Sequence, residues 1–217
     1  MKSREIEEYK HSLKLNKTQR SILVGTLLGD SHLETRNDGK TYRLKVEHSS
    51  KQAFYVDWMY EHFKDLTLTP PKYKEKQVFG KTYQNYYFST LSVGNFRFYG
   101  KQFYDIQSHK VIPKQIRKWL TPLALAVWIM DDGSSKSKDH RAVILNTRGF
   151  SRDDLKVLVK ALQSVYGIEV NFRKQREGLQ LIVVGKSAEL LYKTVQKYML
   201  PNFTYKFGAL DNTLPKE

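Results

Sequence analysis

The chain is 217 residues long and contains no cysteine, which allows one large domain or two small ones and removes disulfide frameworks and thiolate zinc sites. Its 37 basic residues against 22 acidic ones give a formal charge of +15, the balance of a protein that meets a polyanion, most simply nucleic acid. No apolar run reaches the ~20 residues that span a bilayer, and the basic residues are spread through strand-like segments instead of along one amphipathic helix, so a membrane surface is the weaker reading.

Residues 1–20 are charged throughout and lack a hydrophobic signal core, so the expectation is a soluble protein without signal peptide or transmembrane segment, its compartment unknown. Residues 1–12 read as a helical or frayed lead-in. Helical spacing then covers 13–28, with Asn16 or Thr18 as N-cap. Gly25 and Gly29 lie four apart on one face of that helix, where each costs about 1 kcal/mol against alanine; close approach of another backbone is the expected reason. After Asp30 the period changes to two. Asn37-Asp38-Gly39 is a turn, and 41–47 alternates Tyr42, Leu44 and Val46 against Arg43, Lys45 and Glu47. Ser49 or Ser50 caps a helix to about residue 66, which Pro70-Pro71 stops. A second hairpin over 72–78 and 83–91 turns at Gly80-Lys81, and a helix over 94–104 follows.

Residues 108–113 link to a second half with the same order: a helix over 113–130, a hairpin over 134–139 and 141–147, a helix from Ser151 to 166, strands at 169–175 and 179–184, and a helix over 187–199. The expected fold is therefore α+β, two pseudo-symmetric αββαββα repeats at 1–108 and 109–217. Each repeat carries an apolar run with no polar face, Ser21-Ile22-Leu23-Val24-Gly25-Thr26-Leu27-Leu28-Gly29-Asp30-Ser31 and Thr121-Pro122-Leu123-Ala124-Leu125-Ala126-Val127-Trp128-Ile129-Met130-Asp131-Asp132-Gly133. Such a helix is buried on all sides. A carboxylate at its C-terminal turn is opposed by the macrodipole unless a cation sits beside it.

Singly, Gly-Asp-Ser and Asp-Asp-Gly are ordinary turn sequences. Paired at 132 − 30 = 102 positions, nearly half the chain, Asp30 and Asp132 point to a shared metal site. Hard oxygen donors suit Mg²⁺, which needs only one or two protein carboxylates per ion; the backbone carbonyls of Gly29 and Asp131 are candidate helpers. The Asp131 side chain points about 100° away from that of Asp132 on a helix, so Asp131 is a backbone ligand at most.

The stretches at 23–31 and 125–133 resemble the signature of the LAGLIDADG homing endonucleases, and Trp128-Ile129-Met130-Asp131-Asp132-Gly133 is especially similar to the single-chain members encoded in mobile introns. The resemblance covers almost the whole chain. It implies two motif helices packed side by side, with Asp30 and Asp132 sharing two or three divalent ions, Mg²⁺ by preference, Mn²⁺ substituting, and Ca²⁺ binding without supporting cleavage. It implies a DNA-binding saddle of antiparallel sheets entering the major groove, and a lysine near each active centre, matched here by Lys110 and Lys206. The implied activity is hydrolysis of both strands of a long, pseudo-symmetric or asymmetric double-stranded DNA site by a monomer. Departures from the family pattern fall at the helix contact: Gly25 is answered by Val127 and Gly29 by Asp131, so the helices cannot pack symmetrically there, and Asp30 is followed by Ser31 where the family often has glycine.

Candidate DNA contacts are Arg36, Arg43, Lys45, Lys72, Lys74 and Lys76 in the first half, and Lys136, Lys138, Arg141, Arg173, Lys174 and Arg176 in the second. The six histidines show no metal-ligand spacing and read as surface or packing residues. Two alternatives stand beside the nuclease: an RNA maturase assisting splicing of its own intron on the same scaffold, and a catalytically silent DNA-binding regulator. Like-charge repulsion between two unneeded carboxylates weighs against the regulator.

Overall fold

The computed structural model describes residues 3–137 and 139–213, so of the basic candidates Lys138 lies outside the described residues. The chain divides into two compact units, residues 1–20 with 30–101, and residues 21–29 with 102–217.

The first unit begins with α1 (Ser3–Ser12) and the first turn of α2 (Lys17–Leu28). Asn16 caps α2 by accepting the Gln19 N–H at 2.8 Å, while its own N–H donates to Gln19 Oε1 at 2.9 Å, a reciprocal box that satisfies two otherwise orphaned donors. The buried Gln19 amide then donates to His62 O and Asp65 Oδ1, tying this turn to α3 (Ala53–Phe63). Strands β1 (His32–Glu34), β2 (Arg43–Ser49), β3 (Lys72–Val78) and β4 (Lys81–Ser89) form an antiparallel sheet in the order β1-β2-β4-β3, and α4 (Arg97–Phe103) follows. Asp38 and Gly39 take φ of 53° and 76°, the left-handed conformation that a turn at Asn37-Asp38-Gly39 demands. The period of two sorts the strands: Leu33, Leu44, Val46 and Phe88 are buried with Tyr55, Met59 and Phe63 of α3, and the alternate residues face away from that core.

In the second unit, residues 21–28 of α2 and the following Gly29 join α5 (Ile116–Trp119), α6 (Pro122–Asp132), β5 (Gly133–Ser135), β6 (Ala142–Leu145), α7 (Arg152–Tyr166), β7 (Asn171–Gln175), β8 (Gly178–Val184), α8 (Gly185–Val195) and α9 (Ala209–Thr213). Its sheet has the order β5-β6-β8-β7, the same order as in the first unit. The helix expected over 113–130 is two helices. Thr121 adopts an extended conformation as N-cap and accepts the Ala124 N–H at 3.1 Å, and Pro122 fits the first helical turn, where its missing N–H costs nothing. From Ala124 to Met130 every residue is buried, as expected of a helix without a polar face. Helix α7 starts on a Ser151–Asp154 capping box and ends on Gly167 at φ 68°.

The second sheet departs from the alternation seen in the first. The hairpin after the second motif does not alternate apolar with basic, because all four residues of β6, Ala142 to Leu145, are buried and the strand is apolar on both faces. Among the described residues no helix is long and apolar enough to cross a membrane.

Candidate metal centre and nucleic-acid interface

The two motif segments lie side by side in the second unit, and glycine decides how closely. A Cβ on Gly25 would stand 2.4 Å from the Ala124 carbonyl oxygen and 2.7 Å from Val127 Cβ; one on Gly29 would stand 2.5 Å from Asp131 Cβ. These contacts join repeat-equivalent positions, since 127 − 25 and 131 − 29 both equal 102. A residue that meets its own equivalent marks a local two-fold axis between the two helices. On such an axis two bulky residues collide, so one partner is glycine and the other fills the space. Thr121 Oγ1 donates to Ser21 Oγ at 2.9 Å, and Thr26 Oγ1 donates to Asp131 Oδ2 at 2.9 Å, supplying polar bonds at both ends of the contact.

Each motif ends under a lysine. Lys110 Nζ donates to the Gly29 carbonyl at 2.7 Å. Lys206 Nζ donates to the Asp131 carbonyl at 3.0 Å and also to that of Met130. Gly29 and Asp131 are the residues immediately before Asp30 and Asp132, so the two ammonium groups meet the same register position of the two copies. The last carbonyls of a helix lack intrahelical partners and carry the negative end of its dipole, which is where a cation is stabilising. Lys110 is delivered by a tight loop in which Asp105 accepts the N–H groups of Gln107 and His109, both at 2.9 Å; the His109 bond first, then that of Gln107, hold the Asp105 carboxyl below its ordinary range despite some opposing desolvation. Lys206 sits on the 3₁₀ turn Pro201–Phe207, is 5 % exposed, and lies over the Phe203 ring at 5.1 Å.

The acids themselves are placed as follows. Asp132 is the last residue of α6, half-buried, and its carbonyl accepts the Asn146 N–H at 3.0 Å. The Asp131 carboxylate, not its carbonyl alone, faces the partner motif through Thr26 and Gly29. Asp30 follows Gly29 and belongs to the first unit, where its carboxylate Oδ2 lies 3.7 Å from His48 Nδ1. With His32, Glu47, His48, Ser49, Gln52 and Asn85 it lines a cavity of about 360 Å³. Glu47 in that wall is pinned by Lys74 at 2.6 Å and Asn85 at 2.7 Å; partial burial pushes its carboxyl up, but these bonds and the Lys74 and Lys45 charges outweigh it and the net direction is down.

Sequence reasoning missed His48. No ligand spacing announces it, and it reaches Asp30 only because the register sets Leu33 against Leu44, which carries the far end of β2 past the motif end.

The basic candidates separate by sheet. In the first unit paired residues share a face, so the register Lys45↔Ser89, Lys72↔Tyr87, Lys74↔Asn85 and Lys76↔Tyr83 puts Arg43, Lys45, Lys72, Lys74 and Lys76 together on the face turned from the core. Arg36 is exposed in the β1–β2 turn. Glu34 organises part of this face: Arg43 Nε donates to it at 2.7 Å, with His32 and Lys45 at 3.1 and 3.5 Å. Partial burial pushes the Glu34 carboxyl up, but the bonds from Arg43 and His32 and the charges of Arg43 and Lys45 prevail and bring it down to about 2. In the second unit Arg173 pairs with Gln180 on the outer face, whereas Lys174 pairs with Leu179 on the opposite one. Lys136 and Arg176 are exposed in turns, and Arg141 is paired with Glu189 at 2.8 Å.

Each unit by itself offers donors of the kind a divalent cation takes, Asp30 in the first and Asp131 with Asp132 in the second. The carboxylates of Asp30, Asp131 and Asp132 are hard oxygen donors at the ends of the motif segments, and thiolates are absent from the sequence. The carbonyls of Gly29 and Asp131 already accept ammonium groups.

Comparison with known proteins agrees with this architecture. The profile of the LAGLIDADG DNA endonuclease family matches residues 20–191. The chain is 32% identical to the cytochrome b mRNA maturase bI2 of Saccharomyces cerevisiae, over 89% of this chain and 48% of that protein, so it spans about half the maturase's length. It is 27% identical to the DNA endonuclease I-ChuI of Chlamydomonas applanata, over 89% of this chain and 96% of the other. In fold it is similar to the homing endonuclease I-WcaI bound to its DNA recognition sequence, with a TM-score of 0.87, 24% identity, and 95% and 93% of the two chains covered.

Proposed function

Because this chain belongs to the LAGLIDADG DNA endonuclease family, we propose that it is a site-specific homing endonuclease that hydrolyses both strands of a long DNA site, with Asp30 and Asp132 holding divalent metal ions. The observation that carries the reading is the duplicated motif end: repeat-equivalent Gly29 and Asp131 in contact, each followed by an acid and each met by a lysine. Mg²⁺ is the proposed resident ion, with Mn²⁺ as substitute. A bound divalent ion supplies a more acidic water and neutralises charge on the phosphate.

The chain's own groups do the rest. Lys110 and Lys206 place fixed positive charge beside the acids, where charge develops on phosphate oxygens and preorganised donors act most strongly. The basic face of the first sheet holds the phosphates that fix register along the duplex. We take 1–108 and 109–217 as the two repeats, one serving each strand, and the working form as a monomer.

The test is cleavage of a plasmid carrying the insertion sequence of the gene's host intron. The wild-type protein should linearise it only with Mg²⁺ or Mn²⁺ added. Asp30→Asn and Asp132→Asn should each reduce double-strand cleavage by at least about a hundredfold, the loss expected when a catalytic group is removed, while retaining DNA binding. Undiminished linearisation by either variant would overturn the assignment.

The 32% identity to an mRNA maturase favours a second reading, assistance to splicing of its own intron RNA. Splicing of that intron by the same two variants separates the readings: splicing that survives loss of cleavage assigns both activities to one scaffold.

A further inference from the structure

A buried imidazole whose ring nitrogen stands beside a carboxylate oxygen, just beyond hydrogen-bond distance, is placed to share a cation with it. His48 is such a residue. Its side chain is 4 % exposed, and its ring packs on Tyr55 with centroids 5.1 Å apart, which fixes the direction in which Nδ1 points. Its Nδ1 lies 3.7 Å from Asp30 Oδ2, and both residues line the same cavity. That separation is too long for a hydrogen bond. It suits two donors of one ion, because ligand distances of about 2.0–2.2 Å set neighbouring donor atoms roughly 3–4 Å apart.

We propose that His48 and Asp30 are joint ligands of a divalent cation, a mixed imidazole–carboxylate site of the first repeat alone whose intrinsic affinity for Mn²⁺, Co²⁺ or Zn²⁺ exceeds that for Mg²⁺, the ion that availability makes resident. The proposal rests on Asp30 being a cation ligand, as in the functional reading above. Imidazole nitrogen suits later transition metals, whereas Mg²⁺ prefers oxygen. Ser49 and Gln52 in the cavity wall offer further oxygen donors; Glu47 is committed to Lys74 and Asn85.

The second repeat has no counterpart. Leu33 is opposite Leu44, and Ser135, its equivalent 102 positions on, is opposite Val143, so four residues further along each strand His48 corresponds to Thr147. Thr147 is buried, and its hydroxyl donates to the Leu179 carbonyl at 3.0 Å. It offers no nitrogen.

The test uses the full chain titrated with Zn²⁺, Co²⁺ and Mg²⁺ in the absence of DNA. Imidazole ¹⁵N resonances should show one ring nitrogen shifted by Zn²⁺, and Co²⁺ should give ligand-field bands of a nitrogen-containing site. His48→Phe keeps the ring's volume; it should abolish the nitrogen shift and weaken Co²⁺ binding by about tenfold or more, with Mg²⁺ binding changed less than about twofold. Thr147→Val should change neither. Unaltered Co²⁺ affinity and bands in His48→Phe would overturn the proposal, as would the absence of any imidazole shift in the wild-type protein, a measurement that needs no variant. If Asp30→Asn abolishes Mg²⁺ binding while His48→Phe leaves Co²⁺ untouched, this inference fails and the endonuclease reading stands. Binding of every metal unchanged in Asp30→Asn would remove both.

Discussion

The two repeats share a sheet order and a motif register but do not share their surfaces. The first sheet turns five basic residues, Arg43, Lys45, Lys72, Lys74 and Lys76, to one face. The equivalent face of the second carries Ile144 and Ile182 with Arg173 among them. The motif ends differ in the same spirit: Gly25 and Gly29 in one copy are Val127 and Asp131 in the other, and Lys110 is half-buried where Lys206 is buried. What survived duplication is the backbone plan and the lysine on each helix end. What diverged is whatever sits on the local axis or meets the partner. An axis forces inequality once a side chain must occupy it.

The sharpest way to break that comparison is at the axis. Gly25→Ala drives a Cβ into the Ala124 carbonyl and Val127, and should cost about 3 kcal/mol, the upper range of overpacking. Gly94→Ala, where a Cβ meets nothing within 4 Å, should stay within about 0.5 kcal/mol in the same urea titration. Equal effects would remove the close-contact argument.

The lysines come next. Lys206→Met leaves two helix-end carbonyls without a buried donor and should destabilise by about 1–3 kcal/mol, while Lys110→Met, whose site water reaches, should cost less than about 1 kcal/mol. A reversed order would mean that burial does not distinguish the two ends.

Between the sheets the difference should appear in salt dependence. Replacing Lys72, Lys74 and Lys76 together by alanine should flatten the slope of log K against log salt by about 2–3, and Arg173→Ala by about 1 at most. Fluorescence anisotropy over a KCl series measures both. Equal slopes would argue that the two faces grip the backbone alike.

The smallest effect concerns acid. Glu34 falls from 4.5 to about 2 in the folded chain. A depressed carboxyl contributes stability that is present above its unfolded value and lost as pH falls through the folded one, so this contribution fades between about pH 4.5 and 2. Arg43→Gln should shift the acid limb of stability upward in pH; circular dichroism at stepped pH reads it, and an unmoved limb would show the Arg43–Glu34 pair to be idle.

Much of this was legible in the residues. The duplicated apolar runs, the turn at Asn37-Asp38-Gly39 and the Ser151 cap are local signals, and local signals survive into structure because helix ends and tight turns are decided by a few neighbours. The break at Thr121 was legible too, through Pro122, yet the apolar continuity around it read as one helix. The both-sided burial of β6 was not legible, since an apolar strand of four residues does not say how many of its faces are covered. His48 was hidden for another reason. Its meeting with Asp30 is a property of strand register, which pairs residues far apart in sequence.

The division of the chain has a consequence for synthesis. Residues 21–29 belong with residues 102–217, so on a ribosome this greasy segment emerges well before the helix that will cover it. Until α6 arrives, it must wait unsheltered or be held by a chaperone. Producing residues 109–217 alone would leave the groove beside Ala124 and Val127 uncovered, and that fragment should clump unless a peptide spanning 17–29 is supplied in trans.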